Sequence, residues 1–93
     1  MYATIRWYGG NTELADQLAA RADDVKALVS GIAGFESYTL VRVDGGTVSI
    51  SVYDDQAGAD ESSRVAASWM RDNMPDLHVD APAISGGEVV ITA

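Results

Sequence analysis

The segment FESYTLVRVDGGTVSISVY, residues 35–53, constrains the fold of this chain more than any other part of its sequence. It contains two stretches rich in β-branched and aromatic residues, 35–43 and 47–53, which are separated by Asp-Gly-Gly. Because glycine readily takes the positive φ that tight hairpin turns require, the segment predicts two antiparallel strands joined by a short turn.

A strand and a helix are predicted on the N-terminal side of this hairpin. Residues 2–8, YATIRWY, alternate in the manner of a strand. Apolar residues then recur at steps of three and four from Leu14 to Ile32, which predicts one continuous amphipathic helix. Asn11 or Thr12 is expected to cap its first turn.

The C-terminal side of the hairpin repeats this arrangement in reverse order. A second helix is predicted from Asp54 or Asp55 to about Met74, where Pro75 ends it because the residue before a proline is disfavoured in the α region. A loop follows, and EVVIT at 88–92 is predicted to be the last strand.

The predicted element order is βαββαβ within 93 residues, a length suited to a single domain spanning 1–93. This is the ferredoxin-like α+β arrangement, an antiparallel four-stranded sheet with two helices on one face. The first two strands carry bulky or apolar residues at both alternations, whereas a sheet with one wet face would alternate more clearly. A second copy packed on the open face is the simplest cover, so a homodimer through the sheet faces is expected.

Composition excludes several classes of function. The net charge is −8, from 14 acidic and six basic residues, and this disfavours both nucleic acid and anionic membrane surfaces as partners. The chain has no cysteine, so it has no disulfide, no thiolate metal site and no cysteine nucleophile. No apolar run is long enough to span a membrane, and the N-terminus lacks a signal-peptide core. A cytoplasmic protein without a metal is expected.

The stretch WMRDNMPDLH, residues 69–78, combines residue types that recur in active sites. Trp69 and Asn73 are four residues apart, so they share one helix face. Trp69 is either a core residue or a pocket residue whose indole N–H binds a substrate oxygen. Asn73 either bonds the local backbone or donates into that pocket. His78 follows Pro75 and is either a solvated loop residue or a base.

Three further residues on the strands have two possible roles each. Tyr38 and Tyr53 lie on the two hairpin strands and face either a pocket or a subunit interface, depending on the strand register. Arg6 lies between apolar residues on the first strand. A cation buried there requires a partner, which is either an acid across the dimer or an anionic ligand.

Two motifs carry a resemblance to a known family. They are Gly34-Phe35 with Tyr38 and Leu40, and VYDDQA at 52–57. With them, the chain resembles the antibiotic biosynthesis monooxygenase-like proteins of the dimeric α+β barrel superfamily. The resemblance implies a homodimer whose sheets pack together, and an apolar pocket between the sheet and the helices of each subunit.

The same resemblance implies a function and a set of site residues. Some members oxidise small aromatic substrates with O₂ and use no cofactor, and Trp69, Asn73, Tyr38 and Tyr53 are the residue types that such a site uses. A small apolar or aromatic ligand is therefore expected, and no cofactor. A non-catalytic homodimeric module that binds a small ligand or a partner is the alternative.

The haem-degrading members of the family differ from this chain at their site. They pair an Asn on the first strand with a Trp and a His on the second helix. Here the first strand offers Arg6 and Trp7 instead, and His78 lies beyond Pro75, outside the predicted helix. The resemblance therefore does not favour a haem-degrading activity.

Overall fold

A computed structural model describes residues 1–10, 12–77 and 80–93, so the predictions made for Asn11 and His78 lie outside the described residues. The elements are β1 (Tyr2–Gly9), α1 (Glu13–Ala20), α2 (Ala22–Ser30), β2 (Phe35–Val43), β3 (Gly46–Tyr53), α3 (Gln56–Asn73) and β4 (Ala83–Glu88). The strands form one antiparallel sheet in the order β2-β3-β1-β4. The predicted ferredoxin-like α+β fold is confirmed.

The central hairpin forms where the sequence predicts it. β2 and β3 are antiparallel, and Val43 pairs with Gly46 at the turn. Gly45 has a φ of 78°, in the left-handed region that glycine occupies without steric cost. Its carbonyl accepts a hydrogen bond of 2.7 Å from the backbone N–H of Gly10, which joins the turn to the end of β1.

The single helix predicted between the first two strands is instead two helices, α1 and α2, which meet at Arg21. This residue has φ −119° and ψ 34°, outside the helical region, and its N–H bonds the carbonyl of Leu18, only three residues back. Thr12 stands at the N-cap position of α1, but its side chain makes no capping hydrogen bond, so the predicted cap is not formed by Thr12. The apolar stripe nevertheless continues through the break, since Leu14, Leu18 and Val25 are all buried.

The boundaries of α3 agree with the capping residues in the sequence. The Asp55 carboxylate accepts a hydrogen bond of 3.1 Å from the backbone N–H of Gly58, and the helix ends at Asn73, two residues before Pro75. Gly58 permits close packing, because a Cβ added there would lie 3.1 Å from the side chain of Tyr53.

The last strand lies earlier in the chain than the sequence predicts, so the prediction of a strand at 88–92 is wrong. The observed strand is Ala83–Glu88, which pairs with β1 along its length. Glu88 is opposite Tyr2, the first residue of β1, and residues beyond 88 extend past the end of their partner strand. Val90 is accordingly 87% exposed despite its high strand propensity.

The two faces of the sheet differ in polarity, and the polar face is the one that the helices cover. The buried side chains on β1 and β3 that point toward the helices are Thr4, Arg6, Tyr8, Thr47, Ser49, Ser51 and Tyr53. The side chains at the intervening positions form an outer face that is mainly apolar and that none of the described helices covers: Ile5, Trp7, Val41, Val48, Ile50 and Val52.

The apolar core lies between the polar face of the sheet and the helices. Its buried members are Tyr8, Leu14, Leu18, Val25 and Met74, and half-buried side chains from β2 and α3 pack against them. No helix in the described part of the chain is both long and apolar enough to cross a membrane.

Loss of the Asp55 cap should destabilise α3. Asp55→Ala removes the side-chain acceptor at that helix end, so we expect the free energy of unfolding to fall by about 1 kcal/mol. Asp55→Asn keeps an accepting oxygen and should retain most of the stability. Chemical denaturation measures both variants, and an equal loss in the two would contradict a capping role.

Candidate functional site

A small cavity lies between the helix-facing side of the sheet and the helices. The volume within which the centre of a water molecule can lie is about 30 Å³. The cavity can therefore hold about two water molecules. Most of its lining is apolar. The lining residues that bear on its chemistry are Arg6, Tyr8, Tyr38, Ser51, Trp69 and Met70.

Arg6 brings a positive charge into this cavity. Arg6 is 4% exposed, and its position on β1 directs the side chain toward the helices. Nη1 donates to the Ser51 hydroxyl at 3.0 Å, and Nη2 donates to the hydroxyls of Ser62, at 3.0 Å, and Ser63. The Nε atom is buried and has no hydrogen-bond partner. The guanidinium therefore joins β1 to β3 and α3 while keeping one donor unsatisfied.

No carboxylate among the described residues forms an ion pair with Arg6. The ion pairs of the described chain are on the surface and join Arg21 to Asp24, Arg42 to Asp16 and Arg64 to Glu61. Serine hydroxyls stabilise the guanidinium by hydrogen bonding, but they are neutral. The side chain also points away from the outer sheet face, so an acid on a second copy packed there would not reach it.

Two tyrosines stand beside this charge. Burial, with a smaller contribution from the nearby Tyr8, raises the pKa of Tyr38 to about 12 against the opposing effect of Arg6. Burial likewise raises the pKa of Tyr8, against the opposing effect of Arg6. Both phenols are therefore protonated at neutral pH. They are available as hydrogen-bond donors and are not bases.

The structure places Trp69 at the boundary between the core and the cavity. Its half-buried side chain packs against the core cluster and also lines the cavity. On its other side, the Arg21 guanidinium carbon lies 5.2 Å from the centroid of the Trp69 ring, a cation–π contact. Arg21 also donates to the backbone carbonyl of Asn73 at 3.2 Å, and so ties α1 and α2 to the end of α3.

The other two candidates lie away from the cavity. Asn73 is exposed, and its side-chain amide donates to the Trp69 carbonyl at 2.9 Å, which confirms the interpretation as a group that bonds local backbone. Tyr53 is fully buried, and its hydroxyl donates to the Val29 carbonyl at 2.9 Å. Its ring meets Phe35 edge to face with centroids 5.8 Å apart. Of the four predicted site residues, the structure brings together Tyr38 and Trp69.

Sequence reasoning missed Tyr8 and the serines that hold Arg6. The signal for the sheet residues is the alternation on β3, where Thr47, Ser49 and Ser51 occupy every second position. A polar alternation is usually assigned to the solvent face of a sheet. Here it faces the helices, so the same pattern marks the interior of a site.

The described residues contain no group of three or more His, Cys, Asp or Glu side chains close enough together to hold a metal ion. The chemistry available to the cavity is thus that of one guanidinium, protonated phenols, hydroxyls and an indole in mainly apolar surroundings.

No protein-family model matches this chain, and no curated protein matches it. Solved structures are similar over the whole chain. Rv0793 from Mycobacterium tuberculosis is 19% identical with a TM-score of 0.69, over 99% of this chain and 97% of its own. The haem-degrader MhuD from the same organism is 14% identical with a TM-score of 0.73, over 100% and 99%.

A third similar structure is described as an antibiotic biosynthesis monooxygenase. It is 15% identical to this chain, covers 98% of it and 100% of its own length, and has a TM-score of 0.64. Likeness at these identities is a likeness of fold. The chain therefore has, over its full length, the fold of the antibiotic biosynthesis monooxygenase-like proteins that its sequence motifs resemble.

Proposed function

We propose that this protein is a cofactor-independent oxygenase that oxidises a small aromatic substrate with O₂ in the cavity between sheet and helices. The observation that carries the proposal is the meeting of Tyr38 and Trp69, from distant segments, around a cavity that also contains the buried Arg6. The shared fold with an antibiotic biosynthesis monooxygenase supports the same reading.

The reaction suits the groups that line this cavity. An anthrone ionises to its enolate, which transfers electrons to O₂. Overall, the methylene carbon of the anthrone loses two hydrogens and gains one oxygen atom as a carbonyl. The second oxygen atom of O₂ leaves as water with the two hydrogens. The positive charge of Arg6 would stabilise the enolate oxygen, because an oriented cation acts strongly where water is scarce. The apolar walls would keep water from the reactive intermediate.

An aromatic substrate requires more room than the cavity offers. Tyr8 and Met70 line both the cavity and a neighbouring surface cleft of about 590 Å³. Met70 has a flexible, unbranched side chain, so its rotation would join the two spaces. The substrate ring would then enter from the cleft, with its ionised oxygen directed toward Arg6.

A haem-dependent reaction does not fit these residues. MhuD is described as a haem-degrader with two haems in its active site. On the first strand, where the family resemblance implies an Asn, this chain offers Arg6 and Trp7 instead, and Arg6 is a buried cation. No step of the proposed reaction involves haem.

Oxygen uptake with anthrone and hydroquinone substrates tests the proposal. Trp69→Phe removes the indole N–H and Tyr38→Phe removes a phenolic donor, so each should lower kcat/KM by roughly tenfold. Asn73→Ala, at the exposed end of the same helix, is the matched control and should retain activity. Uptake that is absent in the wild type, or equal in all variants, would contradict the proposal.

A non-catalytic ligand-binding module is the second candidate. One observation favours it: both tyrosines of the described lining have raised pKa values, so neither would act as a base at neutral pH. The oxygenase needs a substrate acidic enough to ionise beside Arg6 without such a base. Binding of the aromatic panel with no oxygen uptake would favour the module.

In either case we propose that the protein works as a homodimer through its outer sheet face. This face presents Ile5 and Trp7 on β1 and Val41 on β2, the two strands that flank β3; they are 45%, 39% and 37% exposed. The outward-facing positions of β1 and β3 hold no charged residue, so the acidic residues behind the net charge of −8 on each copy would lie away from these strands. Two such faces can pack as aligned sheets.

A charge placed on this face should separate the subunits. Trp7→Glu would bury an unpaired carboxylate in the contact, so we expect the mass by light scattering to fall from twice 9.8 kDa to 9.8 kDa. Ala19→Glu adds the same charge on the exposed side of α1 and should leave the dimer intact. A wild-type mass of 9.8 kDa would contradict the dimer.

A further inference from the structure

Arg6 is a buried cation whose charge is left uncompensated within the described subunit. Arg6 is 4% exposed. Its guanidinium donates hydrogen bonds to the neutral hydroxyls of Ser51, Ser62 and Ser63, and its Nε has no hydrogen-bond partner. Removing a guanidinium from water is costly unless an anion and sufficient hydrogen bonds replace the solvent. A site that carries this cost without a counter-charge is suited to receive one.

We propose that the cavity binds the carboxylate of a small organic acid through the Arg6 guanidinium. The inference rests on the proposed function in one respect, because both place an anionic oxygen of a ligand at Arg6 in the same cavity; here that oxygen belongs to a carboxylate, and not to an enolate. It requires only that the cavity bind a ligand, and it holds whether or not the protein consumes oxygen.

The charge of the site favours a single carboxylate over other anions. One cation balances one negative charge, whereas a doubly charged phosphate would leave a net negative charge among apolar side chains. The remaining lining includes Leu18, Val25 and Leu28, which would contact the hydrocarbon part of the acid. The Tyr38 phenol, which also lines the cavity, is a second donor for a carboxylate oxygen.

The size of the cavity indicates which acids to use as probes. Room for about two water molecules suits the few heavy atoms of acetate. Benzoate would in addition require Met70 to move aside and open the cavity toward the neighbouring cleft. Acetamide and benzamide match these acids in shape and lack the charge, so they separate recognition of the anion from recognition of the shape.

The role of Arg6 as a purely structural link is the competing explanation. The guanidinium connects β1 to β3 and α3 through serines, and such a link would stabilise the fold without any ligand. The two explanations differ in what happens when an acid is added. Only a ligand site makes the stability of the protein depend on acid concentration.

The test measures two quantities for the full chain with each probe at constant ionic strength. They are the unfolding temperature and the affinity of binding, the latter by titration calorimetry. We expect acetate or benzoate to raise the unfolding temperature of the wild type, and the matching amide to leave it unchanged. Arg6→Met, which keeps the length of the side chain and removes its charge, should bind the acid at least tenfold more weakly. Arg42→Met removes an exposed arginine instead and should bind like the wild type.

A direct readout keeps the inference testable if Arg6→Met does not fold. In the wild-type protein, the Nε–H resonance of Arg6, assigned by its absence in Arg6→Lys, should shift on addition of the acid and stay in place with the amide. Binding of neither acid, equal binding of acid and amide, or an unmoved Nε–H resonance would overturn the inference. None of these measurements involves oxygen, so failure of the oxygenase proposal would be recognised separately.

Discussion

The antiparallel register between β1 and β3 is the constraint on which both the cavity and the outer face depend. It places Thr4 opposite Ser51, Arg6 opposite Ser49 and Tyr8 opposite Thr47, so the polar alternations of both strands share one side of the sheet. Because side chains alternate with a period of two, a slip of one residue would exchange the two faces. The same register therefore determines the chemistry inside the subunit and the apolar surface outside it.

Arg6 shows how this polar interior is held together. The small serines of α3 allow the helix to approach the sheet closely enough for their hydroxyls to receive the guanidinium. The link joins three elements, yet it leaves a buried charge without a counter-ion among the described residues. Structures that retain such a cost commonly do so for a site rather than for stability. Ligand binding and fold stability are thus expected to be coupled through one side chain.

Local signals in the sequence predicted most of the fold. The Asp-Gly-Gly turn, the Asp55 cap and Pro75 each act through neighbouring backbone, and all three define the observed boundaries. The break at Arg21 and the position of β4 were not predictable in this way. At the break, the guanidinium of Arg21 contacts Trp69 from a distant helix. The end of β4 depends on where β1 begins, because β4 pairs with β1 only as far as Tyr2, and Val90 therefore has no partner strand.

For the site, the sequence by itself determined the alternation of apolar and polar residues along β3, and that Trp69 and Asn73 share one face of α3. Tertiary structure alone decided that the polar face meets the helices, because a period of two specifies two faces without saying which is covered. It also decided that Tyr38 and Trp69 meet Arg6 in one cavity, while Tyr53 and Asn73 bond backbone carbonyls elsewhere. Which side chains converge depends on how strands and helices cross, and that geometry is set by contacts far apart in the chain.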